Sequence, residues 1–273
     1  TSFCQVELTE SNLPIVVIET GDQEIRDEQR IVVDMGIIWQ GDGITNYLTD
    51  PHNNYSGKIS IEYRGSTSQD YPKKSYSLET RYSNGDKRDA SLMGMPEEND
   101  WVLYAPYSDK SLIRNILSYR LFRELGHYAP RTRLCELVVN GDYQGIYVLT
   151  EKIKRDENRV NIATLNPDEI SGDDLTGGYI IKIDKETGNS GPLWTTKNEG
   201  IYFQHHYPEW DEIVEPQEYY IREFLDTLEE LLLSDDFADT LTGYRTRLHK
   251  RSAIDLFIIN ELVNAYKRKS HNN

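Results

Sequence analysis

Cysteine is nearly missing from this chain, with only Cys4 and Cys135 among 273 residues. Neither stands in a Cys-x-x-Cys or Cys-x-x-His spacing, which excludes a finger-type metal site and a disulfide-dense scaffold. One bridge between the two and a pair of separate thiols, one of them in a buried strand, both stay open, so cysteine usage does not fix the compartment. Long apolar runs are missing too: nothing approaches the roughly 20 residues that a membrane-crossing helix needs. The start, TSFCQVEL, has neither a charged region nor a long apolar one, so a secretory leader is absent or already removed. Positive charge is scarce, with 30 Lys and Arg against 46 Asp and Glu and a formal net charge of -16. That balance opposes nonspecific attraction to nucleic acid or to anionic membranes, and it would steer a basic protein partner favourably. An acidic surface also serves solubility alone. The six histidines have no G-x-S-x-G elbow or comparable cysteine context, which leaves nucleophilic triads without support. His205-His206 lacks the carboxylate or cysteine pattern that would complete a metal site. A mean hydropathy of -0.66 and a hydrophobic share of 37% describe a polar-surfaced globular chain, long enough for one large core or two modest ones.

What is present is concentrated in RGSTSQDYPKKSYSLE, from Arg64 to Glu79. In KISIEY, Ile59, Ile61 and Tyr63 fall at every second position, and in KKSYSLE the same alternation puts Lys74, Tyr76 and Leu78 on one face. An ammonium held on a packed face costs several kcal/mol, as a rough figure, unless it meets an anion, so Lys74 is a candidate anion ligand. Lys73 points the other way and is expected in solvent. Between the strands, Gly65, Ser66, Thr67 and Ser68 offer backbone N–H groups and hydroxyls that can approach phosphate oxygens closely. No glycine-rich phosphate fingerprint is matched, and an ordinary hairpin loop fits the same residues.

The flanking order extends this reading. Asn84-Gly85 is a tight-turn dipeptide, DWVLYAP follows, and Leu112, Ile113, Ile116, Leu117, Leu121, Phe122 and Leu125 predict a helix from about Asp109 to Leu125, ended by Gly126. RLCELVV and YQGIYVLTE, joined by Asn140-Gly141, read as a hairpin. Strand, loop, lysine strand, helix and hairpin is the order of a kinase small lobe. Glu151, opening EKIKRD after the hairpin, lies where a kinase linker passes the adenine; a charged strand exit is the alternative.

The segments RGSTSQDYPKKSYSLET, SLMGMPEENDWVLYAPYSDKSLIRN, ELVVNGDYQGIYVLTEKIKRD and TGGYIIKIDK, in this order and spacing, resemble the successive blocks of the CotH kinase (spore coat protein H-like) family. The likeness runs from about Leu13 to the C-terminus. It implies an atypical protein-kinase-like fold that binds ATP with Mg²⁺ or Mn²⁺ and transfers phosphate to serine or threonine of proteins. It implies that Lys74, with Lys73 as second choice, holds the nucleotide, and that Arg64 with Ser66, Thr67 and Ser68 forms the loop near the phosphates. Members are largely exported or spore-associated, which implies a secreted or cell-surface protein with a protein substrate or a surface-assembly partner. Where members carry Asn-x-Asp in the last helix and a second aspartate downstream, this chain reads NELVNAYKRKSHNN. Ala265, Tyr266 and Lys267 follow Asn264, so the resemblance supplies no catalytic carboxylate and no metal ligand. A partial chain or an inactive relative is therefore expected, and a non-catalytic extracellular binding or assembly module on a kinase-like scaffold is the alternative function.

The expected fold class is α+β and kinase-like. A strand-rich extension over 1–56, carrying PIVVIE and RIVVDMGIIWQ, precedes an antiparallel small lobe over 57–165 and the start of a helical larger lobe over 166–273. In GGYIIKID, Lys182 and Asp184 face either a cleft or a solvated strand edge. Pro216 suits a first helical turn, and Ile221, Phe224, Leu225, Leu228, Leu231 and Leu232 predict a packed stripe. Ser252 with Asp255 predicts a capped start for a helix whose core stripe is Ile254, Phe257, Ile258, Leu262 and Val263.

Overall fold

The computed structural model describes residues 7–183 and 191–269, with the side chains of Thr67 and of 264–269 outside the described part. The chain divides into two compact units, one spanning 1–119 and 130–152, the other 120–129 and 153–273.

The first unit contains β1 (Glu10–Ser11), β2 (Ile15–Glu19), β3 (Ile31–Ile38), β4 (Asn46–Tyr47), β5 (Tyr55–Arg64), β6 (Ser75–Arg81) and β7 (Asp100–Tyr104). β8 (Thr132–Val139) and β9 (Asp142–Glu151) complete it. Seven strands close into a barrel in the order β2-β3-β5-β6-β7-β9-β8, while β1 pairs with β4. Alternation decides the inside: Ile59 and Ile61 of β5, Tyr76 and Leu78 of β6, Trp101 and Leu103 of β7, Cys135 and Leu137 of β8, and Tyr147 and Leu149 of β9 share one buried cluster. β2 reads IVVI because both of its faces are covered. Val16 and Ile18 join the barrel interior, whereas Ile15 and Val17 pack outside with Ile38 and Val138.

The α+β class expected from sequence is present, and the strands expected in PIVVIE and RIVVDMGIIWQ are staves of the barrel. Closure is the departure from the expected antiparallel lobe. β2 pairs with β8 in parallel, Ile15 opposite Glu136 through Ile18 opposite Val139, while every other barrel pair is antiparallel. That pairing leaves the barrel without an open edge.

Helix α1 covers Arg114–Glu124 and starts later than its apolar spacing predicts. The Asp109 carboxylate accepts the N–H of Ser111 at 3.0 Å and that of Arg114 at 2.8 Å, and Leu112 sits at φ +63, so Asp109 to Ile113 form a turn instead of a helical one. Burial alone would raise the Asp109 pKa, but the hydrogen bonds from Ser111 and Arg114 outweigh it and hold the carboxyl below the usual range. Ile113, Leu117 and Leu121 are exposed, which corrects the expected core face.

The second unit contains α2 (Gly172–Leu175), β10 (Ile180–Ile183), β11 (Trp194–Thr195), β12 (Tyr202–Tyr207), α3 (Glu215–Leu233) and α4 (Lys250–Lys269), with the strands ordered β10-β12-β11. Pro216 stands in the first turn of α3 as expected. Two α3 carboxylates hold the turn after β11: Glu229 accepts the N–H groups of Asn198 at 2.8 Å and Glu199 at 3.0 Å, and Asp226 accepts that of Lys197 at 3.1 Å. In α4, Ile254, Phe257, Ile258 and Leu262 are exposed, so the expected core stripe is not a buried one among the described residues. Asp255 is not a helix cap either. Its Oδ2 lies 2.7 Å from His127 Nε2, and His127 stacks on Phe122 with centroids 4.6 Å apart.

Candidate functional site

Candidate residues gather where β5 leaves the barrel and β6 enters it. Arg64 closes β5 opposite Ser75, and the connection folds into a short 3-10 turn over Thr67–Asp70. Gly65, at φ +101, makes this possible: a Cβ there would stand 2.0 Å from Ser68 Oγ. The turn consumes its own amides, with Gln69 N–H donating to Ser66 O at 3.0 Å and Tyr71 N–H to Ser68 O at 3.3 Å. Ser66 and Ser68 remain at the surface side of this turn, and the Thr67 side chain lies outside the described residues.

Both lysines precede β6, so strand alternation does not govern them. Lys74 is half-buried and its ammonium donates to Gln69 O within the loop. Lys73 is not in open solvent as expected. Its Nζ donates to Ile146 O at 2.6 Å and lies 4.4 Å from the centroid of the Tyr147 ring. Burial lowers the Lys73 pKa, while the field of Cys135 and Glu136 opposes the shift. Gly145, at φ +82, leaves the room: a Cβ there would be 3.3 Å from Lys73 Nζ. It sits beside the bulge between Leu137 and Val138, where β9 bends.

Beneath the lysines runs a ladder of tyrosines. Tyr63 and Tyr76 have ring centroids 5.6 Å apart, Tyr76 and Tyr147 6.0 Å, and the Tyr147 hydroxyl donates to Lys74 O at 3.0 Å. Burial and the neighbouring Tyr63 push the Tyr76 hydroxyl up to about 12, so this phenol stays a neutral donor. The sequence carried a signal for this ladder in the alternation that places Tyr63, Tyr76 and Tyr147 inward, but the expectation centred on the lysines. Buried among the same strands, the Cys135 thiol is pushed up to about 12 by desolvation and is an inert packing group. Cys4, its possible partner, lies outside the described residues.

Other candidates are placed elsewhere. Arg64 is exposed and in the field of Tyr119. Glu151 ends β9 level with Trp101 and Leu78, two strands across from β6. Its side chain is 0% exposed and accepts from Arg131 twice, from the backbone N–H at 2.8 Å and from Nη1 at 2.8 Å. Lys182 pairs across to Gln204 in β10-β12, and Asp184 lies outside the described residues. His206 Nε2 is 2.7 Å from Ile153 O.

His205 is buried beside Trp194, and among the described residues neither ring nitrogen has a hydrogen-bond partner. Burial lowers its pKa; Glu218 pulls upward and Arg222 downward. The unfolded chain therefore takes up the proton first as pH falls through the ordinary histidine range near 6.5. Stability of the second unit should be full above that range and decline below it, down to the folded pKa, and His205→Leu should flatten the decline. Urea midpoints at pH 7.5 and 5.5 for both proteins check this.

Among the described residues no three His, Cys, Asp or Glu side chains gather closely enough to hold a metal ion. No described helix is long and apolar enough to cross a membrane.

The lysine pair and the hydroxyl-bearing turn thus share one strand connection of an α+β chain. Residues 61–273 match the family described as CotH kinase protein, and the chain belongs to that family. Over 144 residues it is 29% identical to the inner spore coat protein H of Bacillus subtilis (strain 168). That stretch is 53% of this chain and 35% of the relative, so the chain spans about a third of the length of the curated relative it matches.

Proposed function

We propose that this chain is the nucleotide-binding portion of a protein-kinase-like phosphotransferase that moves phosphate from ATP to serine or threonine of exported or spore-surface proteins. The observation that carries the reading is the lysine pair at the β5–β6 connection, in a chain of the CotH kinase family. The donor set suits phosphate oxygens: Lys74 beside its turn, Lys73 above Tyr147, the Arg64 guanidinium and the hydroxyls of Ser66 and Ser68 are donors. ATP would supply the transferable phosphoryl group; these residues would bind and orient its phosphates. Mg²⁺ or Mn²⁺ would normally share that charge, but the described carboxylates are not gathered to hold one.

A second reading is a non-catalytic binding or assembly module at the spore surface. It is favoured by the state of both ammonium groups, each already bonded to a backbone carbonyl, Ile146 O for Lys73 and Gln69 O for Lys74. The name of the similar spore coat protein supports a surface setting for either reading.

Thermal unfolding with ATP and Mg²⁺ or Mn²⁺ tests the choice. Nucleotide at a hundredfold excess over Kd should stabilise the chain by about 2.7 kcal/mol. Lys74→Ala should remove most of that shift, with Lys73→Ala reducing it less. If ATP with either metal leaves the midpoint unmoved, the phosphotransferase reading falls and the binding module stands.

A further inference from the structure

Helix α4 carries an apolar stripe on the side turned away from its own unit. Ile254, Phe257, Ile258 and Leu262 are 46%, 65%, 45% and 61% exposed and stand at i, i+3, i+4 and i+8, on one side of the helix. Asp255 and Ile259 are buried and mark the side turned inward. No other element of the second unit packs along α4. Single exposed apolar groups are ordinary, but four on one helical side form the kind of seam that helices bury against helices.

We infer that this stripe is an interface between two copies of the chain, with their α4 helices antiparallel about a twofold axis. Charge selects the partner. Lys250 and Glu261 are exposed, neither is in an ion pair among the described residues, and both fall on the Phe257 edge of the stripe. They are eleven positions apart, three helical turns or about 16 Å. The antiparallel register that sets Ile254 opposite Phe257 of the second copy also sets each Lys250 opposite the second copy's Glu261, so two ion pairs flank one apolar centre. Lys250 gains most from this. It opens α4, whose first turn holds no acidic residue, so a positive charge stands at the helix end that favours a negative one. Parallel pairing would set like charges level with each other and is disfavoured. The formal charge of -16 repels like copies at long range, but in about 0.15 M salt that repulsion is screened beyond about 8 Å. The seam is short, so the dimer should be a weak one. The inference does not rest on phosphate transfer.

Sedimentation equilibrium of the whole chain in about 0.15 M salt decides it. Monomer and dimer should coexist with a Kd on the order of 10 µM, and Phe257→Asp should raise that value at least about tenfold. Lys250→Glu and Glu261→Lys should each raise it about fivefold or more, because each sets like charges opposite one another twice. Mixed in equal amounts, these two variants should pair with each other about as tightly as unaltered copies do, and the double variant should pair with itself. All three positions are exposed, so circular dichroism should show the fold unchanged in every variant. A chain still monomeric at about 200 µM overturns the inference and leaves the stripe to a different protein. A dimer unmoved by Phe257→Asp, or charge variants that fail to recover on mixing, overturns it as well.

Discussion

Trp101→Ala should destabilise the barrel by about 3–5 kcal/mol, the range for deleting a large aromatic from a closed core. Trp101 is fully buried in β7, and its Nε1–H donates to Glu98 O at 2.9 Å. The substitution therefore removes the ring's apolar contacts in the core and one of two donors to Glu98 O, which keeps the Ala90 N–H at 3.1 Å. Leu78 and Glu151, its cross-strand neighbours, come from different strands and cannot close over the gap together. Trp101→Phe keeps most of the volume and should lose much less. Urea unfolding followed by circular dichroism gives both values. A loss under about 1 kcal/mol for the alanine variant would show that the interior collapses freely, contrary to the close packing described.

Arg131→Ala should cost about 3 kcal/mol or more, because it leaves a wholly buried carboxylate without its cation. Glu151 would keep the Arg131 backbone N–H but lose the guanidinium at 2.8 Å. The decisive control is the double variant Arg131→Met with Glu151→Leu, which removes both charges and keeps the bulk. It should recover most of the loss, since the penalty lies in the orphaned charge rather than in the missing attraction. Equal losses for the single and double variants would make Arg131 a packing residue and Glu151 an indifferent one. The pair stands where the sequence suggested a residue beside a nucleotide, and its geometry makes it a clasp between β8 and β9 instead.

Strands were readable in the residues because alternation is local. Ile59, Ile61 and Tyr63, or Tyr147 and Leu149, announce their face within one strand, and Asn140-Gly141 announces its turn, with φ +50 and +78 in the structure. Closure was not readable, since no short-range pattern says that Ile15 will lie beside Glu136. The one local hint was β2 itself, apolar at its first four positions, Ile15 to Ile18, which fits a strand covered on both faces. Lys73 was misplaced because alternation was carried past Pro72 into residues that come before β6 begins at Ser75. Asp255 was misread because Ser-x-x-Asp is a local pattern and its actual partner, His127, is 128 residues away. The stripes of α1 and α4 were visible as helical spacing, but spacing sets only which residues share a face. Whether that face is buried depends on what packs against it. At the candidate site, the residue types of the loop were legible, whereas the bond from Lys73 to Ile146 O required β9 to be folded beside it.

The parallel seam between β2 and β8 sets a schedule for synthesis. Ile15 and its partner Glu136 are about 120 residues apart, so at roughly 5–20 residues per second the ribosome releases the first strand some 6–24 s before the second exists. Through that interval the IVVI segment must be kept from pairing with strands of neighbouring nascent chains, and rapid elongation or a chaperone at the exit tunnel should raise the yield of correctly closed molecules.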